Sequence, residues 1–504
     1  MGSMFEDRDN NHNGKAAAAH VLVVPVSTQG HITPMLRFAT QLAREGITIT
    51  FVGFQDAIDQ LNSGKDGSAS ELQGLDFRFV GLKMPENKSM LVGVASNLPA
   101  IGAHLREAFK PFGEQLIRDK SAGLGGPTSV LSDVVLFWTQ DLAETLEIPR
   151  YMFHASGITF ARAMQGFSEK VESGELHFSE GQGSKLDYFD GQVYISGLPP
   201  LRYHELPRSF RVFPHETRTR CESMERAAGL VVNSIFELEE KVINAWRHTV
   251  DASKVPKFYT TGPLFSATAT LPNVRVRQEL EDSDAKCLQF LDSQAPSSVL
   301  YVAFGTHCCL SPDQIRELAM GLEKSEQSFL WVIPQRKDHN SEMQTLSLEE
   351  LLPPRFEERL GGKCCIVTGW VPQLQILAHK STGGFLSHVG WNSTLESVIL
   401  GMPLIACPQG AEQHLNCRYL VDELKIAVEL ATGPQFIFEH NKVERAVRLL
   451  MVESEGKEIR SRVEALQRKA AGAMAEGGSK SRSFQQFLHD IRIHNLSPQP
   501  RRKL

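Results

Sequence analysis

The run HVLVVPV, residues 20 to 26, is apolar almost throughout for the length of a strand, then breaks into the polar turn STQGH. A strand with one wet face alternates apolar and polar residues. A strand apolar on both sets of alternate positions has to be covered on both faces, the condition met in parallel sheets flanked by helices. Met35, Leu36, Ala39, Leu42 and Ala43 follow at helical spacing until Gly46, a residue suited to a helix stop, and ITITFVGF (47 to 54) reads as a second strand. Strand, helix and strand at this spacing make a βαβ unit, so the chain is expected to be α/β.

The rhythm recurs. SVLSDVV (129 to 135) is a strand followed by a helical pattern at Leu142 and Leu146, and SSVLYVAFG (297 to 305) leads to a helix over 311 to 325 with Ser311 as N-cap and Pro312 in the first turn. KCCIVTG, GGFLSH and MPLIACP supply further strands. A chain of 504 residues exceeds what one core usually serves. Two doubly wound, Rossmann-like domains are therefore expected, divided where 260 to 282 loses its period. The expected division is a tail at 1–19, a first domain at 20–262, a linker at 263–276 and a second domain at 277–482. A helix at 483–495, carrying Phe484, Phe487, Leu488 and Ile491, then returns to the first domain, and 496–504 is a second tail.

Composition narrows the function. The formal charge of -6 argues against a nucleic-acid partner. The eight cysteines include the neighbours Cys308–Cys309 and Cys364–Cys365 but no CxxC, which suggests neither a disulfide framework nor a zinc site. The polar first twenty residues lack the apolar core of a signal peptide, and no stretch approaches the ~20 apolar residues that span a bilayer. A cytoplasmic protein is expected. Asp282-Ser283-Asp284 has the D-x-D form of a metal site, set against the plainer reading of a solvated acidic cluster before a helix.

HVGWNSTLES (388 to 397) takes an apolar run into a helix through many hydrogen-bonding groups. In open α/β sheets ligands bind beyond the carboxyl ends of strands, and free N–H groups at a helix start favour an anion. Gly390 would let a ligand approach the backbone, and His388, Asn392 and Ser393 would add donors, so this is a candidate phosphate site. Ser393-Thr394-Leu395-Glu396 also fits a capping box that needs no ligand.

The window from Trp370 to Gln413, with its W-x-P-Q opening, H-x-G-W-N-S middle, G-x-P and final acidic-Gln pair, closely resembles the signature box of plant UDP-sugar-dependent glycosyltransferases acting on small metabolites. LPPLRYHELP, VVNSIFELE, TGPLF, CLQFLDSQAPSSVLYVAFGT and LEKSEQSFLWVI resemble other recurrent segments of that family. The resemblance implies GT-B architecture: two domains facing each other across a cleft, with the acceptor in the first and the nucleotide sugar mainly in the second. It implies that Trp370 stacks on uracil, where a core tryptophan is the alternative, with Val371 beside it. Gln373 and Glu396 would take uracil or ribose groups. His388, Gly390, Asn392 and Ser393 would hold the diphosphate, with Thr306 nearby. Trp391, Glu412 and Gln413 would reach sugar hydroxyls. Gln413 at the last box position favours UDP-glucose, since some galactose users carry His there and the His here is one place later, at His414.

The family's general base falls on His31 in GHITP, and its orienting carboxylate on Asp133. The plainer roles are a structural histidine and a helix cap. Histidine is suited to take a hydroxyl proton near neutral pH, and a carboxylate behind the ring fixes its tautomer. The implied reaction is an inverting, metal-independent transfer of glucose to a small phenolic or flavonoid hydroxyl, giving a β-O-glucoside, with no cofactor beyond the UDP-sugar and a monomer expected. C-glycosylation of a phenolic ring is the rival within the class. A catalytically silent UDP-sugar-binding protein is the rival outside it. Val389 stands where Cys is common, Thr306 where Ser is, and Ala155 where Thr or Ser often approaches the sugar, with Ser156 able to compensate. Acceptor contacts are expected from loops near 85–105 and 165–215, with Phe167, Phe178, Tyr188 and Phe189 as candidates.

Overall fold

The computed structural model describes residues 19–62, 71–83, 98–177, 191–251, 254–265, 282–305, 310–333, 347–430 and 439–493. Thr306, Phe178, Tyr188, Phe189, residues 1–18 and 496–504 of the expected tails and 266–276 of the expected linker lie outside them, as do the side chains of Asp282, Ser283 and Asp284.

The first sheet has seven strands: β1 (His20–Val24), β2 (Thr48–Phe54), β3 (Phe77–Leu82), β4 (Ser129–Asp133), β5 (Arg150–His154), β6 (Gly229–Val232) and β7 (Phe258–Thr260). All pair in parallel, in the order β3-β2-β1-β4-β5-β6-β7. The second has six: β8 (Val299–Ala303), β9 (Ser328–Ile333), β10 (Cys364–Thr368), β11 (Thr382–Ser387), β12 (Leu404–Ala406) and β13 (Ala427–Glu429), parallel in the order β10-β9-β8-β11-β12-β13.

The continuous apolar runs have the reason the sequence suggests. Leu22 and Val24 face one core while Val21 and Val23 face the other, and Tyr301 and Leu300 part in the same way in the second sheet. Each such side chain removed from water contributes about 1.5–3 kcal/mol. Helix α1 (Gln29–Arg44) buries Met35, Leu36, Ala39, Leu42 and Ala43, and Gly46 closes it at φ +80°. Ser311 accepts from the Gln314 N–H at the head of the helix Pro312–Ser325.

Both sheets reverse winding direction at one place. In the first the reversal lies between β1 and β4, where Val24 pairs with Ser132, so the residues after β1 and at the end of β4 share one crevice. In the second it lies between β8 and β11, where Ala303 pairs with Ser387. The last helix, α2 (Ser479–Ile493), starts a few residues before position 483 and packs on the first sheet. Its Phe487 ring sits 5.4 Å from Phe38, 4.9 Å from Tyr151 and 5.2 Å from Tyr259. No helix of the described residues is long and apolar enough to cross a membrane.

Candidate active site

His31 lies in the first turn of α1 and Asp133 ends β4, on the two sides of the first switch point. Nδ1 of His31 is 2.7 Å from Oδ2 of Asp133, whose side chain is 0% exposed against 21% for the imidazole. The other carboxylate oxygen accepts the Val135 N–H at 2.9 Å, so Asp133 is held rigidly. Burial pulls the His31 pKa down, but the charge and hydrogen bond of Asp133, with the charge of Glu412, outweigh it and the net shift is upward. Burial pushes Asp133 up, and His31 with the backbone bond outweighs it, leaving the carboxyl below its ordinary value. A carboxylate accepting Nδ1–H leaves the imidazole lone pair at Nε2, the tautomer a general base needs. The capping role for Asp133 is not what dominates here.

At the second switch point the His388 ring sits between glycines. A Cβ on Gly305 would stand 2.8 Å from its Cε1 and Nε2, and one on Gly390 would stand 2.6 Å from its Nε2. Val389 turns the chain through φ +54°, uncommon for a β-branched residue. Its carbonyl accepts from the Asn416 amide at 3.0 Å and its N–H donates to Ser387 at 3.1 Å, which fixes this strained turn.

Helix α3 (Trp391–Ile399) follows with Gly390 as its N-cap and no side-chain cap. The capping-box reading of Ser393 and Glu396 is not realised, because both lie inside the helix. The Gln373 amide donates instead to Ser393 at 3.1 Å and Glu396 at 2.6 Å, while its oxygen accepts from the Tyr301 hydroxyl at 3.3 Å. Burial pushes the Glu396 carboxyl up; Gln373 and Arg37 of the first domain only partly offset this. The first-turn N–H groups of α3 thus have no side-chain cap.

Trp370, after β10, is 61% exposed, which removes the core-tryptophan alternative and leaves a flat apolar surface at a strand end. Three expectations, for Trp391, Val371 and Phe167, need correction. Trp391 is 3% exposed and its single N–H donates to the Asn233 carbonyl at 2.7 Å, so its side chain has no donor left for a sugar hydroxyl. Val371 is buried in the second core, so only its backbone could meet a ligand. Gln413 folds its own loop, its oxygen accepting the Gln409 and Gly410 N–H groups at 2.7 and 3.0 Å, which leaves the amide nitrogen for a hydroxyl. Ser156, beside the buried Ala155, reaches Glu412 at 3.4 Å from across the cleft. Phe167 is not an acceptor contact: it is wholly buried and packs on Phe210 at 5.7 Å. Among the described residues no group of three His, Cys, Asp or Glu side chains is arranged to hold a metal.

Three further residues shape the site without a sequence signal of their own. Glu239 is buried and accepts the Ile158 and Thr159 N–H groups at 2.9 and 2.7 Å, capping the helix Ile158–Glu172 that follows β5. His154, at the end of β5, accepts the Ser156 N–H at 3.0 Å, and burial lowers its pKa to about 4, so it stays neutral beside His31 and Asp133. Asn233, one residue beyond β6, bonds both to its own domain and to α3. Only the family-like segment VVNSIFELE pointed towards Asn233 and Glu239, and nothing in its spacing singles them out.

Comparison with known proteins agrees with this geometry. Residues 266–458 match the family model "UDP-glucoronosyl and UDP-glucosyl transferase". The chain is similar to UDP-glycosyltransferase 73D1 of Arabidopsis thaliana, 30% identical over 95% of this chain and 97% of that one. It is 31% identical to UDP-glycosyltransferase 72B1 of the same plant, over 92% and 94%. Among solved structures it resembles Phytolacca americana UGT2 complexed with UDP-2fluoro-glucose and pterostilbene, with a TM-score of 0.77 at 26% identity, covering 94% of this chain and all of that one.

Proposed function

This chain belongs to the plant UDP-glycosyltransferase family and has its GT-B fold, and from that premise we propose an inverting transfer of glucose from UDP-glucose to a hydroxyl of a small phenolic acceptor of the flavonoid type. The observation that carries this reading is the His31–Asp133 pair at 2.7 Å, set beside the uncapped start of α3. The two are linked directly, for the Asn392 amide donates to the Gly30 carbonyl, the peptide preceding the base, at 3.3 Å.

Nε2 of His31 takes the proton of the acceptor hydroxyl as its oxygen forms a bond to C1 of the sugar. The bond from C1 to the diphosphate oxygen breaks with its electron pair, and UDP leaves. One displacement from the opposite face inverts the anomeric carbon, so an α-linked donor gives a β-glucoside. Asp133 stabilises the imidazolium. The leaving diphosphate meets the first-turn N–H groups of α3 with Asn392, Ser393 and His388, donors aimed where charge develops. Trp370 stacks on uracil, Glu396 and Gln373 meet the ribose or base, and Glu412 with the Gln413 amide nitrogen holds the sugar. In this reading the transfer needs no metal, and the enzyme works as a cytoplasmic monomer. Pterostilbene, with which the Phytolacca protein is complexed, is a small phenol, though a stilbene and not a flavonoid.

The test is a reaction of UDP-glucose with a panel of phenols in EDTA, the product read by mass and by the coupling of its anomeric proton. A β-linked hexose adduct cleaved by acid supports the reading. An acid-stable adduct would assign C-glycosylation instead. UDP release without a hexose adduct on any acceptor would contradict the transfer.

A further inference from the structure

We propose that Asn233 is a positioning residue of the transfer step, setting the orientation of the Asn392 amide from the opposite domain; this rests on the reading that the start of α3 receives the diphosphate.

Asn233 is 2% exposed and lies immediately after β6, at the carboxyl edge of the first sheet. Its backbone N–H donates to the His154 carbonyl at 3.0 Å. Its backbone carbonyl accepts the Trp391 indole N–H at 2.7 Å. Its side-chain oxygen accepts the Leu264 N–H at 3.1 Å, and its side-chain nitrogen donates to Asn392 Oδ1 at 2.9 Å and to the Ala155 carbonyl at 3.4 Å. Every polar group of one buried residue is therefore engaged, and two of the bonds cross to neighbouring residues at the start of α3. Glycines clear the way for them. A Cβ on Gly262 would stand 2.9 Å from the Asn233 side-chain oxygen, and one on Gly157 would stand 2.5 Å from the Trp391 ring.

The direction of each amide follows from one fixed group. The Leu264 backbone N–H can only donate, so the oxygen of Asn233 faces it and the nitrogen faces the second domain. Asn392 then has to present its oxygen to that nitrogen. Its own nitrogen is turned the other way, where one N–H meets the Gly30 carbonyl at 3.3 Å and the second is left for an anion at the helix start. Had Asn392 been flipped, its oxygen would have faced both the Gly30 carbonyl and the diphosphate. Asn233 prevents this from a domain that holds none of the phosphate contacts, and it ties the leaving-group site to the peptide beside His31.

Asn233→Asp tests the relay, because the carboxylate still accepts from Leu264 but presents an oxygen where Asn392 needs a donor. It is combined with Asn392→Ala in a double-mutant cycle, with kcat, KM for UDP-glucose, UDP affinity and thermal unfolding measured for each variant. Asn233→Asp is expected to lower kcat roughly tenfold or more, since charge on the diphosphate grows during transfer, but to change it less than about threefold once Asn392 is alanine. A merely structural role predicts losses that multiply in the double variant, and that result would overturn the proposal. If the aspartate variant fails to fold, Asn233→Ser, smaller and uncharged, enters the same cycle with the same two outcomes. Failure of the underlying reading is separate: Asn392→Ala alone would then leave UDP affinity and turnover at the wild-type level.

Discussion

Nδ1 of His31 and Oδ2 of Asp133 lie 2.7 Å apart although 102 positions separate them in the chain. The parallel pairing of β1 with β4 at the switch point brings them together. A reversal of winding in the second sheet presents His388 and the start of α3 in the same manner. Two copies of one topological device thus place the His31–Asp133 pair and the uncapped start of α3 at the edges of one cleft.

Asp133→Asn is expected to lower kcat/KM for the acceptor by about 10²–10⁴-fold, because the amide no longer holds Nδ1–H or stabilises the imidazolium. The pH profile gives the sign. A base must be neutral, so the rate rises with pH through the His31 pKa, which the structure places above its ordinary value because of Asp133. Without the carboxylate, burial outweighs the smaller pull of the Glu412 charge, and the limb moves to lower pH. An unmoved limb in the variant would contradict the assignment.

The same shifts fix the pair's contribution to stability. The raised His31 pKa means that its share is present below the ordinary histidine value and is lost as pH rises through the folded value. The depressed Asp133 pKa means that its share is lost as pH falls through that lower value. The stability difference between wild type and Asp133→Asn is expected to be largest in mildly acid solution and to shrink on both sides, as measured by unfolding across pH.

Trp370→Ala is expected to leave stability within about 0.5 kcal/mol, since the ring is exposed, while weakening UDP by about 1–3 kcal/mol through lost stacking on the base. Calorimetric titration with UDP and a thermal melt separate the two effects. A large loss of stability with unchanged UDP affinity would return Trp370 to a structural role.

Gly305→Ala is expected to raise the UDP Kd about tenfold. The new Cβ would stand 2.8 Å from the His388 ring at φ +74°, a conformation whose strain is about 1–3 kcal/mol for other residues. Equal UDP affinity in this variant would mean that His388 is not held for the phosphate.

Much of this was legible before the fold was seen, for identifiable reasons. β1, β2, β4 and β8 announce themselves because both of their faces are buried and each carries neighbouring apolar residues that face opposite cores. β5 does not. Its sequence RYMFH begins with Arg150, buried yet satisfied by Ser132 and Ser223 at 2.8 Å each, a partnership that only the tertiary structure supplies. The donor box was readable because its residues are close in sequence. The role of the Trp391 indole is not legible there, because the sequence shows a tryptophan beside a helix start but not the Asn233 carbonyl that takes its N–H from the other domain. Asn233 itself, far from the box and of an ordinary type, gives no local signal.

The most direct test of the central claim is His31→Ala assayed with UDP-glucose and a competent phenol by mass spectrometry, with UDP binding measured on the same protein. The account predicts that the hexose adduct formed by the wild type disappears while UDP still binds with near wild-type affinity, because base and donor site belong to different domains. Retention of the adduct at the wild-type rate would contradict the assignment of His31 as the base.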